Sequence, residues 1–262
     1  MAADLPAVVA ACDPQAPAGL RDRAVILLGF ALLARRAELA ALSISDVEHV
    51  PGEGLAVTIR ASKTDQSARG LVRRIHYASA EAVCPVLAVL AWLEYLAAHE
   101  VTVGPLFTRI DRWGNLAAAA GGRYASSGLA GAGDGIRPAD GVRPPAGRDG
   151  RLRPQAVGDI VAAACRAAGL AAPGTQAGPA GRRYSGHSLR RGGATSMLKA
   201  GAQPLNVSRH GRWADGSRAF SGYVEEATGF GDANPTKNLL LRAGRVHDVH
   251  GQAGQPRQRA VG

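Results

Sequence analysis

Apolar residues recur at helical spacing over 21–33, where Ala24, Leu27, Leu28 and Ala31 fall on one face. The same pattern predicts short helices at 5–11 and 38–42, a loop at 14–19, and a break at Ser45-Asp46. The period then changes. Residues 55–59 and 71–77 alternate apolar with small or polar residues, and Ser62-Lys63-Thr64-Asp65 lies between them as a polar turn. This is the pattern of a β-hairpin, to which 47–49 can add a strand. A helix follows at 85–99, with proline in the first turn, where a missing N–H costs nothing. Another is predicted at 154–169, with Gly169 as its terminator. Three more are predicted at 187–200, 204–209 and 219–226, and Asn238 to Leu241 form a short apolar patch beyond them. The expected fold class is α+β, mainly helical, with a small antiparallel sheet.

Two stretches carry no such pattern. Residues 113–150 and 171–181 are rich in Gly, Ala and Pro and hold little that could build a core. The first is expected to be a long flexible insertion at 114–150. The domain plan is a leading segment at 1–20, one catalytic domain at 21–242 and a polar tail at 243–262. No internal repeat interrupts it.

Composition narrows the classes. Hydrophobic residues make up 46% of the 262, enough for a buried core. No apolar run approaches the roughly 18 residues that span a membrane, and the N-terminus lacks the pattern of a signal peptide. Cys12, Cys84 and Cys165 are odd in number and widely spaced, which argues against a disulfide framework or a zinc site. A reduced, cytoplasmic setting is expected. Net charge is +10 and the pI about 10.3, pointing to an anionic partner. Between Gly181 and Phe220 there are eight Lys/Arg and one acid, Asp215. That distribution favours nucleic acid over a membrane surface, since no basic amphipathic helix with aromatics stands out.

Within that basic stretch, His187-Ser188-Leu189-Arg190-Arg191 opens a predicted helix. His187 and Arg190 are three residues apart, so they share a face and can reach one anion. The guanidinium fork matches two phosphate oxygens, which an ammonium cannot do. Taken alone, the motif is equally a helix start with incidental basic residues. Arg35-Arg36-Ala37-Glu38 follows the apolar helix, with Glu38 spaced to orient Arg35 or to form an ordinary surface ion pair. Lys63 sits on the hairpin turn, where it is a possible proton donor or a plain loop lysine. Arg209-His210-Gly211-Arg212-Trp213 precedes Tyr223 by ten residues, counted from Trp213. An indole N–H can donate to a phosphate oxygen, although a tryptophan is as readily a core residue.

Taken in order, Arg35, Glu38, Lys63, His187, Arg190, Trp213 and Tyr223 resemble the signature of the tyrosine recombinase (phage integrase) family, over about Asp13 to Leu241. Trp213 stands where most members carry a second His, as in the Cre-like branch. The interval to Tyr223 is one residue longer than in most members, with Gly216 in between. The resemblance implies site-specific recombination of double-stranded DNA, by members acting as tetramers without metal or cofactor. Tyr223 would attack phosphorus to make a 3′-phosphotyrosyl link, which stores the phosphodiester energy. Arg35 and Arg190 would stabilise the phosphoryl transition state. Lys63 would protonate the departing 5′ oxygen, and His187 would bind the phosphate or accept the tyrosine proton. Trp213 would donate a hydrogen bond and Glu38 would hold the arrangement. Arg36, Lys63, Arg191, Arg209 and Arg212 are the expected DNA contacts. Members carry an N-terminal core-binding domain, which this chain is expected to lack, and exchange a C-terminal segment that 238–241 could supply. Two other readings are a DNA-binding remnant without activity and a type IB topoisomerase.

Overall fold

The central apolar helix begins earlier than its hydrophobic period suggests. In the computed structural model, which describes residues 3–60, 70–117, 149–170 and 184–229, α2 runs Pro17–Ala31. The loop expected at 14–19 is therefore cut short: Pro17 occupies the first helical turn, where its fixed φ is pre-organised and its absent N–H is not needed. Helix α1 (Leu5–Ala10) precedes it. Ala24 to Leu28 of α2 are all buried in succession, so this helix is enclosed on every side rather than on one stripe. It packs against α4 (Pro85–Ala98) and α6 (Gly186–Lys199), with α5 (Pro154–Ala167) also in contact. Helix α3 (Arg36–Ala41) follows after a sharp bend at Leu33, whose φ is +52°.

A three-stranded antiparallel sheet of order β1-β2-β3 lies beside this bundle: β1 is Val47–Val50, β2 Gly54–Ile59 and β3 Leu71–His76. Its register pairs Val47 with Val57 and Leu55 with Ile75, which places Leu55, Val57 and Ile75 in the main core. The α+β, mainly helical class expected from the pattern is what is found. The β2–β3 turn with Lys63 lies outside the described residues, as do 118–148, 171–183 and the patch at 238–241.

Residues at both ends of the 114–150 stretch belong to the fold. Ile110 bridges to Leu116, which is buried in the main core, and Asp111 accepts from the backbone N–H groups of Trp113 and Asn115. At the other end, Arg151 bridges to Thr108 and donates from Nη1 to the carbonyls of Ala41 (2.6 Å) and Leu42 (2.8 Å), tying down the end of α3. The last described elements are α7 (Pro204–Gly211) and α8 (Arg218–Thr228). They close on α6 through a second, smaller core of Leu33, Ala194, Val207 and Phe220, with Trp213 and Tyr223 packed against it. All three cysteines are buried and free; burial pushes the Cys12 and Cys165 thiols up to about 11, so they act as small packing residues. Among the described residues no helix is long and apolar enough to cross a membrane, and no cluster of His, Cys, Asp and Glu could hold a metal.

Candidate active site

The start of α6 is held by a reciprocal cap: Ser185 Oγ accepts the N–H of His187, and Ser188 Oγ accepts the N–H of Ser185. This sets the first turn, from which His187 and Arg190 project. One turn later α6 crosses the end of α2 at Gly193, where a Cβ would collide with the Phe30 carbonyl oxygen and the Leu33 side chain. Only glycine lets the two helices approach so closely. The approach brings Arg190 beneath the α2–α3 bend, where its Nη1 donates to the Leu33 carbonyl. Arg190 is 4% exposed, and its Nη2 has no partner among the described residues. Its guanidinium lies 3.8 Å from the centroid of the Trp213 ring. Burial, and then the charges of Arg35 and Arg212, push Arg190 down to about 10, which still leaves it cationic at neutral pH.

Arg35 is the N-cap of α3, and Glu38 in the first turn serves it twice. Glu38 Oε2 accepts the Arg35 backbone N–H at 2.8 Å, and Oε1 accepts Arg35 Nη1 at 2.6 Å. Burial pushes the Glu38 carboxyl up, but the Arg212 guanidinium and the Arg35 donors outweigh it and hold Glu38 below the usual carboxylate range.

Helix α7 ends on Arg212 in the left-handed region, φ +60°, and the chain then doubles back. Trp213 folds across Gly211, whose missing Cβ would occupy the indole ring. Phe220 anchors α8 beneath it, with ring centroids 4.9 Å apart. One turn on, the Tyr223 ring meets the Trp213 edge at 5.8 Å and 71°. The Tyr223 hydroxyl is 2.9 Å from His187 Nε2. Burial, then Arg190, Arg191 and Arg36, lower the pKa of His187, so the ring is neutral near pH 7. In the tautomer with a bare Nε2, that nitrogen accepts the phenolic proton.

The ten-residue interval from Trp213 to Tyr223 therefore leaves the two rings in contact. Six residues picked out in the sequence (Arg35, Glu38, His187, Arg190, Trp213 and Tyr223) converge here from α3, α6, the α7–α8 connection and α8. Three of them, Arg35, His187 and Arg190, wall an open cleft of about 220 Å³ together with Arg36 and Ser185. Lys63 falls outside the described residues. His210 faces away from the cleft, its Nε2 donating to the Ala31 carbonyl at 2.8 Å. A second hollow, against the sheet between Val50 and His76, brings together no comparable chemistry.

The expected DNA contacts divide. Arg36 and Arg209 are exposed, and Arg191 is exposed but paired with Glu226 at 2.8 Å. Arg212, expected at the surface, is buried: its side chain is 2% exposed and its Nη2 holds Glu38 Oε2 at 2.7 Å. The left-handed turn aims it inward, where the buried carboxylate of Glu38 requires a counter-charge. Arg73 on β3 was not anticipated. It donates to the carbonyls of Arg209 (2.7 Å) and His210 (3.0 Å), capping the end of α7. Nothing in the strand's alternation marks it for that task.

No family model matches the chain. Among curated proteins it is similar to an Integrase/recombinase xerD homolog from Selenomonas ruminantium, 29% identical over 220 residues. The match covers 84% of this chain and 51% of that protein, so the chain spans about half the length of the curated relative.

Proposed function

We propose that this chain is the catalytic part of a tyrosine recombinase, cutting and rejoining double-stranded DNA through a bond between a DNA phosphate and Tyr223. The observation that carries this reading is the Tyr223 hydroxyl held 2.9 Å from a neutral His187, which lines one cleft with Arg35 and Arg190. The similarity to a protein named as an integrase/recombinase supports it independently.

In the reaction, the phenolic oxygen attacks phosphorus as its proton passes to His187 Nε2. The new O–P bond replaces the P–O5′ bond, and the departing oxygen takes a proton from Lys63. One phosphodiester is exchanged for another, so rejoining is the same step reversed. Arg35 and Arg190 stabilise the charge gathering on the non-bridging oxygens; the N–H groups of Arg190 Nη2 and the half-exposed fork of Arg35 are the donors available for it. Trp213 supports Arg190 from below, and Glu38 orients Arg35. Exposed Arg36 and Arg209 contact the flanking backbone, and the protein works as a tetramer on paired DNA in the cytoplasm.

The test is a covalent trap. Nicked duplexes taken from DNA flanking the protein's own gene are incubated with the chain and resolved on denaturing gels beside Tyr223→Phe. An adduct formed by the wild type and lost in Tyr223→Phe is the expected result. An adduct that persists moves the nucleophile elsewhere, with Tyr184 next to be examined. Salt-dependent binding without any adduct favours a DNA-binding remnant instead.

A further inference from the structure

We infer that Arg212, buried behind the cleft and out of reach of DNA, is a positioning residue that keeps Arg35 free to grip the phosphate. The inference rests on the recombinase reading above and extends it.

Glu38 divides its two oxygens between two arginines. Oε1 takes Arg35 Nη1; Oε2 takes both the Arg35 backbone N–H and Arg212 Nη2. Arg35 is therefore bound through one terminal nitrogen, and 39% of its side chain stays exposed. Among the described residues its other N–H groups make no hydrogen bond, so they remain for a ligand. A carboxylate and a guanidinium prefer two parallel bonds when both oxygens are available. Without Arg212, Glu38 Oε2 loses its charged partner and the carboxylate can rotate to chelate Arg35. The fork would then face inward, and the cleft would lose one of its two phosphate donors.

Arg212 is itself firmly held. Besides Glu38 it donates from Nη1 to the His210 carbonyl at 3.1 Å and approaches the Leu32 carbonyl at 3.5 Å. It is adjacent to Trp213, which carries Arg190 on its ring. One residue thus references both phosphate-facing arginines to the α7–α8 connection that delivers Tyr223. A buried ion pair is weak evidence for stability, since apolar residues often replace one without loss. Its value here is the register of three separate segments.

The experiment measures single-turnover cleavage and DNA affinity for wild type, Arg212→Gln, Arg212→Lys, Glu38→Gln and the double variant Arg212→Gln/Glu38→Gln. Each is tested on a normal scissile phosphate and on a neutral methylphosphonate, which needs less cationic stabilisation. Arg212→Gln is expected to slow cleavage of the phosphate about 100-fold, as misplacement of a catalytic group by about 1 Å does. DNA affinity at fixed salt should fall far less than the rate, because the one guanidinium withdrawn from the cleft is one phosphate contact among several. On the methylphosphonate the loss should shrink to about threefold or less, a change that a merely structural role does not produce. Arg212→Lys should recover part of the rate, since a point charge still holds one oxygen. The double variant should be no slower than Arg212→Gln, because the two residues act as one unit.

An affinity loss as large as the rate loss overturns the inference in favour of a direct DNA contact. Equal losses on both substrates, or multiplicative losses in the double variant, overturn it as well. If Arg212→Gln loses its helical circular dichroism, Arg212→Lys carries the same two-substrate comparison. A wild type that forms no adduct overturns the recombinase reading and this inference with it. A wild-type adduct formed equally fast by Arg212→Gln overturns this inference alone.

Discussion

Substituting Trp213 by Phe and by Ala separates two roles that the indole could play. The structure sets the ring under Arg190, 3.8 Å from the guanidinium, with Phe220 at 4.9 Å and Tyr223 at 5.8 Å. A cation over an aromatic face contributes about 2 kcal/mol when desolvated, as Arg190 is, and a phenyl ring retains roughly half of that. Trp213→Phe therefore gives up about 1 kcal/mol, or roughly fivefold in rate if all of it is expressed in the transition state. Trp213→Ala loses the whole stack, the two aromatic pairs at about 0.5–1.5 kcal/mol each, and the support beneath α8. It should melt well below the wild type and cleave more than about 100-fold slower. If the indole N–H instead donates to a phosphate oxygen, Phe removes that donor as completely as Ala does, at about 10²–10³ in rate. Single-turnover cleavage with thermal melts on both variants decides the matter. Trp213→Phe as slow as Trp213→Ala, but melting like the wild type, refutes the packing argument.

Gly193→Ala places a methyl group against the Phe30 carbonyl, which is backbone and cannot step aside. Overpacking of about 3 kcal/mol set against a helix-propensity gain of about 1 kcal/mol predicts a clearly lowered melting temperature; a melting temperature at or above the wild type would contradict the close helix approach. The pH dependence follows from His187 and His210, both lowered mainly by burial. Because their folded values lie below 6.5, the unfolded chain binds more protons in the window just under that value, so stability is full above about pH 6.5 and falls as pH drops through the window. Cleavage should likewise rise to a plateau by about pH 7 as His187 loses its proton, with an acid limb centred below 6.5. A limb centred above 6.5, or one that survives in His187→Gln, would remove His187 as the proton acceptor.

Much of the fold follows from periodicity because the relevant forces act within a few residues. The switch from helical spacing to alternation at residue 55 is a local property, and β2, β3 and the later helices appear near where it puts them. The differences arise where local signals compete. Pro17 lies among turn residues, yet proline starts a helix as readily as it ends one. Leu116 and the Asp111 turn are core structure inside a Gly-rich stretch, and composition averaged over that stretch hides a single apolar anchor.

The site shows the same division more sharply. His187 and Arg190 share a helix face, so their spacing alone brings them together, and Arg35 and Glu38 do so at a helix start. The role of Arg212 is of another kind. In sequence it is one more arginine in a basic run beside Arg209, and charge alone makes it a DNA contact. What turns it inward is a carboxylate 174 residues away, buried at the start of α3. A buried carboxylate must find a counter-charge or give up its ionisation, and the left-handed residue at the end of α7 brings a second guanidinium to it, beside that of Arg35. The same logic governs Arg73, whose guanidinium finds the open carbonyls of α7 only after the sheet has docked. Each arginine takes its role from the acceptor that folding sets before it. A count of basic residues therefore overstates the positive surface left facing solvent and understates the internal framework that aims the few guanidinium groups left at the cleft.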